Sequence, residues 1–228
     1  MRHPSRRARP APDDADEPLP RGTRPPRGRV SVEEYLAFER RHPARHEFVD
    51  GYVYAMAGAV LPHNRIGGNI YARLWTLAGD GPCHLYIEGA KLRVADDFFY
   101  PDVMAVCDPA GEDEEFAYAP CLLVEVLSPS TALKDRSLKL AKYRTLPSLR
   151  TYLVVSRRER HVVRHWRDGP DAPWQQAEYA DQGEIPLPCP TPDVLTLEQI
   201  YRGIAFGPRL RRVRERAPRA PTPEGAPA

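Results

Sequence analysis

The chain has 228 residues, a formal net charge of +2 and 28% charged side chains, which is enough length for one domain with a hydrophobic core. None of its apolar runs approaches the length of a membrane span, and no hydrophobic segment follows the arginine-rich start. We therefore expect neither a membrane protein nor a secreted one, and predict a cytoplasmic location.

Prolines and arginines concentrate at the two ends of the chain. Of 26 prolines, 12 lie in residues 1–28 and 207–228, which contain almost no large apolar side chains. Such segments cannot bury enough surface to offset chain entropy. The sequence therefore predicts disordered tails at 1–29 and 207–228 around one domain at 30–206.

The charge is also unevenly distributed. Residues 1–28 carry +3 and residues 207–228 carry +4, so subtracting +7 from +2 leaves about −5 for the domain. Basic tails favour contact with phosphate backbones, and an acidic domain favours bound cations. A general bias of the chain's composition would produce the same basic, proline-rich tails without any nucleic-acid partner.

In chain order, the first predicted elements are a helix, a hairpin and a second helix. Ser31 with Glu34 three residues later forms a capping-box pattern at the start of "SVEEYLAFERR". Asp50-Gly51 separates two short runs rich in Phe, Val and Tyr, which predicts a β-hairpin. Apolar residues at helical spacing from Ile66 to Leu77 then predict a helix.

The middle of the chain is rich in strand formers. "HLYIEGAKLRVADDFFYPDVMAVCD" predicts two strands around the turn-like Asp96-Asp97, with Asp102 at the start of the second. An acidic loop follows at 108–119. "CLLVEVL" is a short apolar run typical of a central strand, and Glu125 is its one charged residue.

The last third of the chain predicts a helix, three strands and a short closing helix. "SPSTALKDRSLKLAKYRTL" predicts the helix, which Pro147 ends. "TYLVVS" predicts a buried strand, "HVVRHWR" and "WQQAEYA" an antiparallel continuation, and "LTLEQIYRGI" the closing helix. This order predicts an α/β fold of the α+β type, with a mixed central sheet flanked by helices.

The four cysteines show no CxxC pair and no zinc-finger spacing. Two of them, Cys107 and Cys121, border apolar runs. The pattern predicts reduced thiols packed in the core of a cytoplasmic protein, a prediction that covers Cys83 and Cys189 as well.

Three predicted elements each supply one carboxylate, namely Glu47, Asp102 and Glu125. A carboxylate in a half-buried strand has to be paired, protonated or bound to a metal. Oxygen ligands on neighbouring strands suit a hard cation such as Mg²⁺, which one or two carboxylates commonly hold. The helix after Glu125 adds three lysines that could act on a bound water: Lys134, Lys139 and Lys142.

Each of these residues also has a purely structural interpretation. Asp102 could cap a turn after Pro101, Glu125 could be neutralised by an arginine, Lys139 could pair with Asp135 on an exposed helix face, and Glu47 could pair with Arg45.

Several stretches together resemble one protein family. "YPDV", "LLVEVLSPST", "KDRSLKLAKY" and "TYLVV", together with "HEFVDGYVYAMAG" and "LPHNRIGGNI", are similar to the Uma-type restriction endonuclease family of the PD-(D/E)XK nuclease superfamily, from Ser31 to Ile204. The resemblance implies a restriction-endonuclease-like core. It also implies a metal-dependent endonuclease that hydrolyses phosphodiester bonds of DNA and acts as a homodimer, because cutting both strands favours two sites.

Carried over by position, the resemblance makes Asp102 the aspartate of "PD" and Glu125 the acid of "(D/E)XK". The residue two positions after Glu125 is Leu127, where the superfamily has lysine. The Uma-type family usually moves that lysine to the following helix, where this chain has Lys139. Lys139 would then assist the attacking water.

The same resemblance implies that Asp102, Glu125 and the carbonyl of Val126 hold one Mg²⁺, or Mn²⁺ in its place. Glu47 matches an acidic position near this site and could complete the water shell. His63 matches a family histidine, although before a helix it is as easily a packing residue. A second hypothesis is a catalytically weak or inactive nucleic-acid-binding or assembly module on the same fold, because the strand lysine is missing and the tails are basic.

Overall fold

The protein folds into two main sheets and four helices in a computed structural model that describes residues 25–56, 58, 60–127 and 134–206. The predicted tails lie outside these residues, apart from 25–29, which form neither helix nor strand. The described helices are α1 (Val32–Glu39), α2 (Leu61–Ala78), α3 (Lys134–Tyr143) and α4 (Leu197–Ile200).

Twelve strands lie within the same described residues. They are β1 (His46–Val49), β2 (Tyr52–Ala55), β3 (His84–Ile87), β4 (Leu92–Val94), β5 (Asp97–Phe99), β6 (Val103–Val106), β7 (Leu122–Leu127), β8 (Thr151–Ser156), β9 (His161–Trp166), β10 (Gln175–Ala180), β11 (Glu184–Leu187) and β12 (Asp193–Thr196).

The first helix and the hairpin form as their local sequences predict. Ser31 Oγ accepts a hydrogen bond from Glu34 N at 3.2 Å, and the Glu34 carboxylate accepts one from Ser31 N at 2.7 Å. Asp50 and Gly51 join β1 to β2 with φ values of 52° and 88°. Two consecutive left-handed residues are the requirement of a type I′ turn, which keeps the two strands of a hairpin in register.

The segment from His84 to Val106 contains four strands where the sequence predicts two. β4 and β5 belong to a four-stranded sheet of order β2-β1-β5-β4, whereas β3 and β6 belong to a six-stranded sheet. Pro101 lies between β5 and β6 and has no N–H to offer a strand ladder. The chain therefore leaves one sheet and enters the other at Pro101-Asp102, and this change of sheet places Asp102 at the junction.

The six-stranded sheet is mixed, which confirms the predicted fold class. Its order is β10-β9-β8-β7-β6-β3, with β7 and β8 parallel and the other neighbours antiparallel. The parallel pair requires a crossover, and α3 lies in that connection. Residues 128–133, predicted as the start of this helix, lie outside the described part of the chain.

Helices cover both faces of this sheet. The α2 residues Ile66, Ile70 and Leu74 are fully buried against one face, together with α4 and the β11–β12 ribbon. Tyr143 of α3 and the following Leu146 are buried on the other face. Alternation along β7 turns Val124 and Val126 toward α2 and leaves Glu125 on the face of α3.

The cysteine prediction is wrong in one respect. Cys83 and Cys107 are joined in a disulfide, and Cys121 and Cys189 are free. The two bonded residues lie just before β3 and just after β6, where antiparallel pairing brings them face to face, and no spacing rule in the sequence signals that approach. Among the described residues, no helix combines the length and the apolar character needed to cross a bilayer.

Candidate active site

Asp102 and Glu125 lie side by side at the junction of the two sheets. Val103 pairs with Val124 in the β6–β7 ladder, and one further step of that register places Asp102 opposite Glu125. Asp102 N donates to Val124 O at 3.1 Å, and Asp102 Oδ2 accepts from Val126 N at 2.5 Å. The residue just before β6 and the middle of β7 thus bring two carboxylates close enough for the charge of Asp102 to act on Glu125.

Lys139 connects Glu125 to the third predicted carboxylate. Its Nζ lies 3.1 and 3.2 Å from the two oxygens of Glu125 and 2.7 Å from Glu47 Oε1. The hydroxyl of Tyr143, one turn further along α3, donates to Glu125 Oε1 at 2.9 Å. All four predicted side chains of the site therefore lie at one place in the fold: Glu47, Asp102, Glu125 and Lys139.

These contacts decide between the structural alternatives for the helix lysines. The Lys139 side chain is 14% exposed, so it does not lie on an exposed helix face. Lys142 instead contacts Asp50 at 2.6 Å and Asp97 at 2.7 Å, and holds the hairpin turn against α3. The side chain of Lys134 lies outside the described part of the structure. Glu125 is paired with a lysine, and not with an arginine as its structural alternative supposed.

His63 also belongs to this site, although the sequence argument left its role open. Its Nε2 lies 3.3 Å from Asp102 Oδ2, so the ring contacts one of the predicted site carboxylates. Its Nδ1 is buried and has no hydrogen-bond partner within the described residues. Sequence spacing could not predict that His63 contacts Asp102, because 39 residues separate the two. Only the family resemblance pointed to a histidine here.

The site is mostly buried, and burial controls its protonation. Burial raises the pKa of Glu125 to about 7, the charges of Asp102 and Glu47 add to this rise, and Lys139 opposes it. Burial by itself would lower the pKa of Lys139, but Glu125 and Glu47 outweigh burial and hold that pKa above its usual range. Lys139 is therefore a fixed cation at neutral pH.

The pKa of His63 is likewise raised. Burial opposes the charged imidazole, yet the hydrogen bond to Asp102 and the charge of Asp102 outweigh it, with smaller help from Glu88. His63 faces Asp102, which is one of the three predicted metal ligands. Positive charge at this point is thus favoured by the surrounding oxygens.

The donor set fits a hard divalent cation. Asp102 and Glu125 supply carboxylate oxygens, and Val126, which follows Glu125, lies against Asp102 through its backbone N–H. Three acidic side chains share one lysine and one histidine in a region of low exposure. An added cation would therefore offset the repulsion between the three carboxylates. Mg²⁺ binds through oxygen and keeps several waters, so two carboxylates suffice.

Comparison with known proteins matches most of the domain to one family. The model of the Uma2 family, described as "Putative restriction endonuclease", matches residues 32–199. Two uncharacterized proteins of Synechocystis are relatives: slr1290 is 33% identical over 78% of this chain and 94% of its own length, and sll1609 is 31% identical over 65% and 86%.

A solved structure shares the fold. It is described as a putative nuclease belonging to DUF820 from Anabaena variabilis, and it superposes with a TM-score of 0.59 at 14% identity. The match covers 75% of this chain and 97% of that one. At this identity the likeness shows a common nuclease-like architecture.

Proposed function

The chain belongs to the Uma2 family, and from that premise we propose that it is a metal-dependent endonuclease that hydrolyses phosphodiester bonds of DNA. One observation carries the proposal: Glu47 and Glu125 converge on Lys139, with Asp102 beside Glu125, in a region of low exposure. A group of buried acids costs stability unless it binds something. Three acids here share one lysine and one histidine, so a bound cation would offset the remaining negative charge and could hold a phosphate substrate.

Asp102, Glu125 and the Val126 carbonyl would hold Mg²⁺, with Mn²⁺ as a substitute. Bound there, the cation would polarise the phosphodiester and lower the pKa of a water. Val126 N fixes the orientation of Asp102 through the 2.5 Å hydrogen bond to Oδ2. Tyr143 and Lys139 orient Glu125 in the same way from the helix.

Lys139 acts as a cation and a hydrogen-bond donor. Because two carboxylates keep its pKa above the usual range, it holds its proton at neutral pH and is a poor general base. In its position it would orient the attacking water or stabilise charge on the phosphoryl oxygens. Glu47, 2.7 Å away, fixes the direction of its ammonium group.

The proposed partner is DNA, and the proposed assembly is a homodimer, because cleavage of both strands of a duplex favours two active sites. The competing hypothesis of an inactive binding module rests partly on the missing strand lysine. Lys139 answers that argument, since it reaches Glu125 from α3. The basic tails, the other reason for that hypothesis, lie outside the described residues.

The test is cleavage of supercoiled plasmid by the full chain in Mg²⁺ or Mn²⁺, followed as conversion to nicked and linear forms. We expect cleavage that EDTA abolishes and that Asp102→Asn and Glu125→Gln each lower by at least about 100-fold, since each removes a carboxylate charge that the metal needs.

A matched control is Glu178→Gln on β10. Glu178 is also a strand glutamate in an ion pair, with His161 at 3.2 Å, but its side chain is 62% exposed and β10 is three strands away from β7. Cleavage by this variant should equal that of the wild type. Intact plasmid with the folded wild type, or equal cleavage by the Asp102 and Glu125 variants, would contradict the proposal.

A further inference from the structure

All four cysteines of the chain meet at one end of the six-stranded sheet. Cys83 precedes β3, Cys107 follows β6, Cys121 precedes β7, and Cys189 follows β11. Because β6 is antiparallel to both β3 and β7, the start of β3, the end of β6 and the start of β7 lie at the same end of the sheet. The separate two-stranded β11–β12 ribbon brings Cys189 to that end of the six-stranded sheet.

The sulfur atoms lie within the range of a shared ligand. Cys107 Sγ is bonded to Cys83 Sγ and lies 3.1 Å from Cys121 Sγ. The sulfurs of Cys107, Cys121 and Cys189 are all within 4.8 Å of one another. Four thiolates around a tetrahedral Zn²⁺, with Zn–S bonds of about 2.3 Å, lie about 3.8 Å apart. Cys107, Cys121 and Cys189 therefore need only small side-chain movements to reach that geometry. Cys83, whose Sγ lies 3.7 Å from the carbonyl of Pro190 beside Cys189, can join them once its bond to Cys107 is broken.

Arg150 adds a positive charge at the same place. Arg150 N donates to the carbonyl of Cys121 at 2.9 Å, and the guanidinium acts to lower the pKa of Cys189. Its Nη1 is buried and has no hydrogen-bond partner in the described part of the chain. A zinc ion with four thiolates carries a charge of about −2, so an arginine beside it would be stabilising.

The Cys189 thiol is not an activated nucleophile. The hydrogen bond with Cys121 and burial both raise the pKa of Cys189, and they outweigh Arg150. A thiol in such surroundings stays protonated at neutral pH and is unreactive. A soft divalent cation would supply the positive charge that lets these sulfurs ionise.

We propose that Cys83, Cys107, Cys121 and Cys189 of the reduced chain bind one Zn²⁺ as a tetrathiolate site, separate from the carboxylate site. Reduction of the Cys83–Cys107 disulfide by a cellular dithiol breaks one S–S bond and yields two thiols, while the dithiol becomes a disulfide. Zn²⁺ then forms four Zn–S bonds as four S–H bonds break, and the protons pass to solvent.

The position of the site indicates a structural role. Asp102 lies just before β6 and Cys107 just after it, so the sulfur site is about 16 Å from the carboxylates at about 3.3 Å per residue. Four protein ligands leave no open position for a substrate. The ion would instead fasten β3, β6 and β7 to the loop after β11, and so fix two of the strands that carry the carboxylates.

The test uses the full chain, reduced with a phosphine, stripped with a chelator and titrated with Co²⁺ alone, which reports tetrahedral thiolate ligation by its visible and charge-transfer absorption. We expect one Co²⁺ per chain with that spectrum, and displacement by Zn²⁺. In the same wild-type chain, Zn²⁺ should protect four thiols from alkylation, as counted by intact mass.

Variants locate the ligands. Cys189→Ser should weaken Zn²⁺ binding at least about 100-fold, and Arg150→Gln about 10-fold because it acts through the thiolates. The matched control is Asp102→Asn with Glu125→Gln, which should keep the cobalt–thiolate spectrum and the Zn²⁺ affinity of the wild type.

Two results in the wild type would overturn the proposal, and neither depends on a variant that folds. One is the absence of thiolate–cobalt absorption in the reduced chain. The other is alkylation of the four thiols at the same rate with and without Zn²⁺. Because plasmid cleavage is not the readout, failure here is distinguishable from failure of the nuclease proposal.

Discussion

At the scale of single residues, Lys139 shows how a lysine on a helix, and not on a strand, can contact the carboxylates of such a site. Two oxygens of Glu125 and one of Glu47 surround its ammonium group within 3.2 Å. Leu127 occupies the strand position where the superfamily pattern has lysine. The ammonium group of Lys139 reaches the face of β7 that carries Glu125 because α3 packs directly over β7.

Lys139→Met should abolish most activity while leaving the fold intact. We expect plasmid cleavage to fall by about 100-fold or more, because the site loses a donor that acts in the transition state. The variant should also raise the pKa of Glu125 further, since Lys139 is the group that opposes its rise.

The control for this variant is Lys142→Met, three residues along the same helix. Lys142 pairs with Asp50 and Asp97 and makes no described contact with Glu47 or Glu125. Its cleavage rate should stay within about threefold of the wild type. Equal losses in the two variants would show that the effect comes from helix stability and not from Lys139.

The raised pKa of Glu125 predicts two opposite pH effects. Its folded pKa rises from 4.5 to about 7, so the protonated carboxyl stabilises the fold below pH 4.5, and this contribution is lost as pH rises to about 7. Mg²⁺ needs the ionised carboxylate, so the apparent Mg²⁺ affinity should strengthen through the same interval and level off above it.

Urea unfolding across this pH range, without divalent cations, measures the first effect. The free energy of unfolding should fall with pH more steeply in the wild type than in Glu125→Gln. Identical slopes in the two proteins would refute the assignment of the titration to Glu125.

At the scale of elements, the β1–β2 hairpin positions Glu47 and depends on its turn. Gly51 has a φ of 88°, and a Cβ there would lie 2.9 Å from Arg29 Nε. Gly51→Ala should therefore lower the free energy of unfolding by about 1 to 2 kcal/mol. It should also reduce cleavage, because the strand that carries Glu47 loses its register.

Gly68→Ala in α2 is the matched glycine variant. A Cβ at Gly68 meets nothing within 4 Å, and the residue is helical. Alanine there should raise the free energy of unfolding by up to about 1 kcal/mol. Chemical denaturation of both variants checks the pair, and a stabilised Gly51→Ala would show that the turn is not left-handed in solution.

At the scale of the whole molecule, charge separates the tails from the domain. Residues 1–28 and 207–228 together hold +7 of a chain whose net charge is +2. A domain near −5 repels DNA until basic segments, and the metal of the proposed site, offset that charge. The tails are thus expected to supply affinity and the domain to supply chemistry.

Removal of both tails should weaken DNA binding and its dependence on salt. The slope of log affinity against log salt should become shallower by about 0.9 for each phosphate that the tails had neutralised. Cleavage at saturating DNA should remain, since the carboxylate site is untouched. Fluorescence anisotropy over a salt series measures the slope, and an unchanged slope would exclude binding of the tails to the DNA backbone.

Features that depend on neighbouring residues could be predicted from the sequence. The capping box at Ser31, the Asp50-Gly51 turn, and the amphipathic α2 form as predicted because caps, turns and helical periodicity are local effects. The mixed sheet followed from the order of those elements. The same local reasoning could single out the acids Glu47, Asp102 and Glu125, although it could not say which groups would meet.

The long-range contacts became visible only in the folded chain. Lys139 rather than Lys142 meets Glu125, His63 joins Asp102, and the four cysteines converge although up to 106 residues separate them. Each depends on strand order and on the change of sheet at Pro101. Strand pairing has no fixed spacing along the chain, so packing and not sequence distance brings these side chains together.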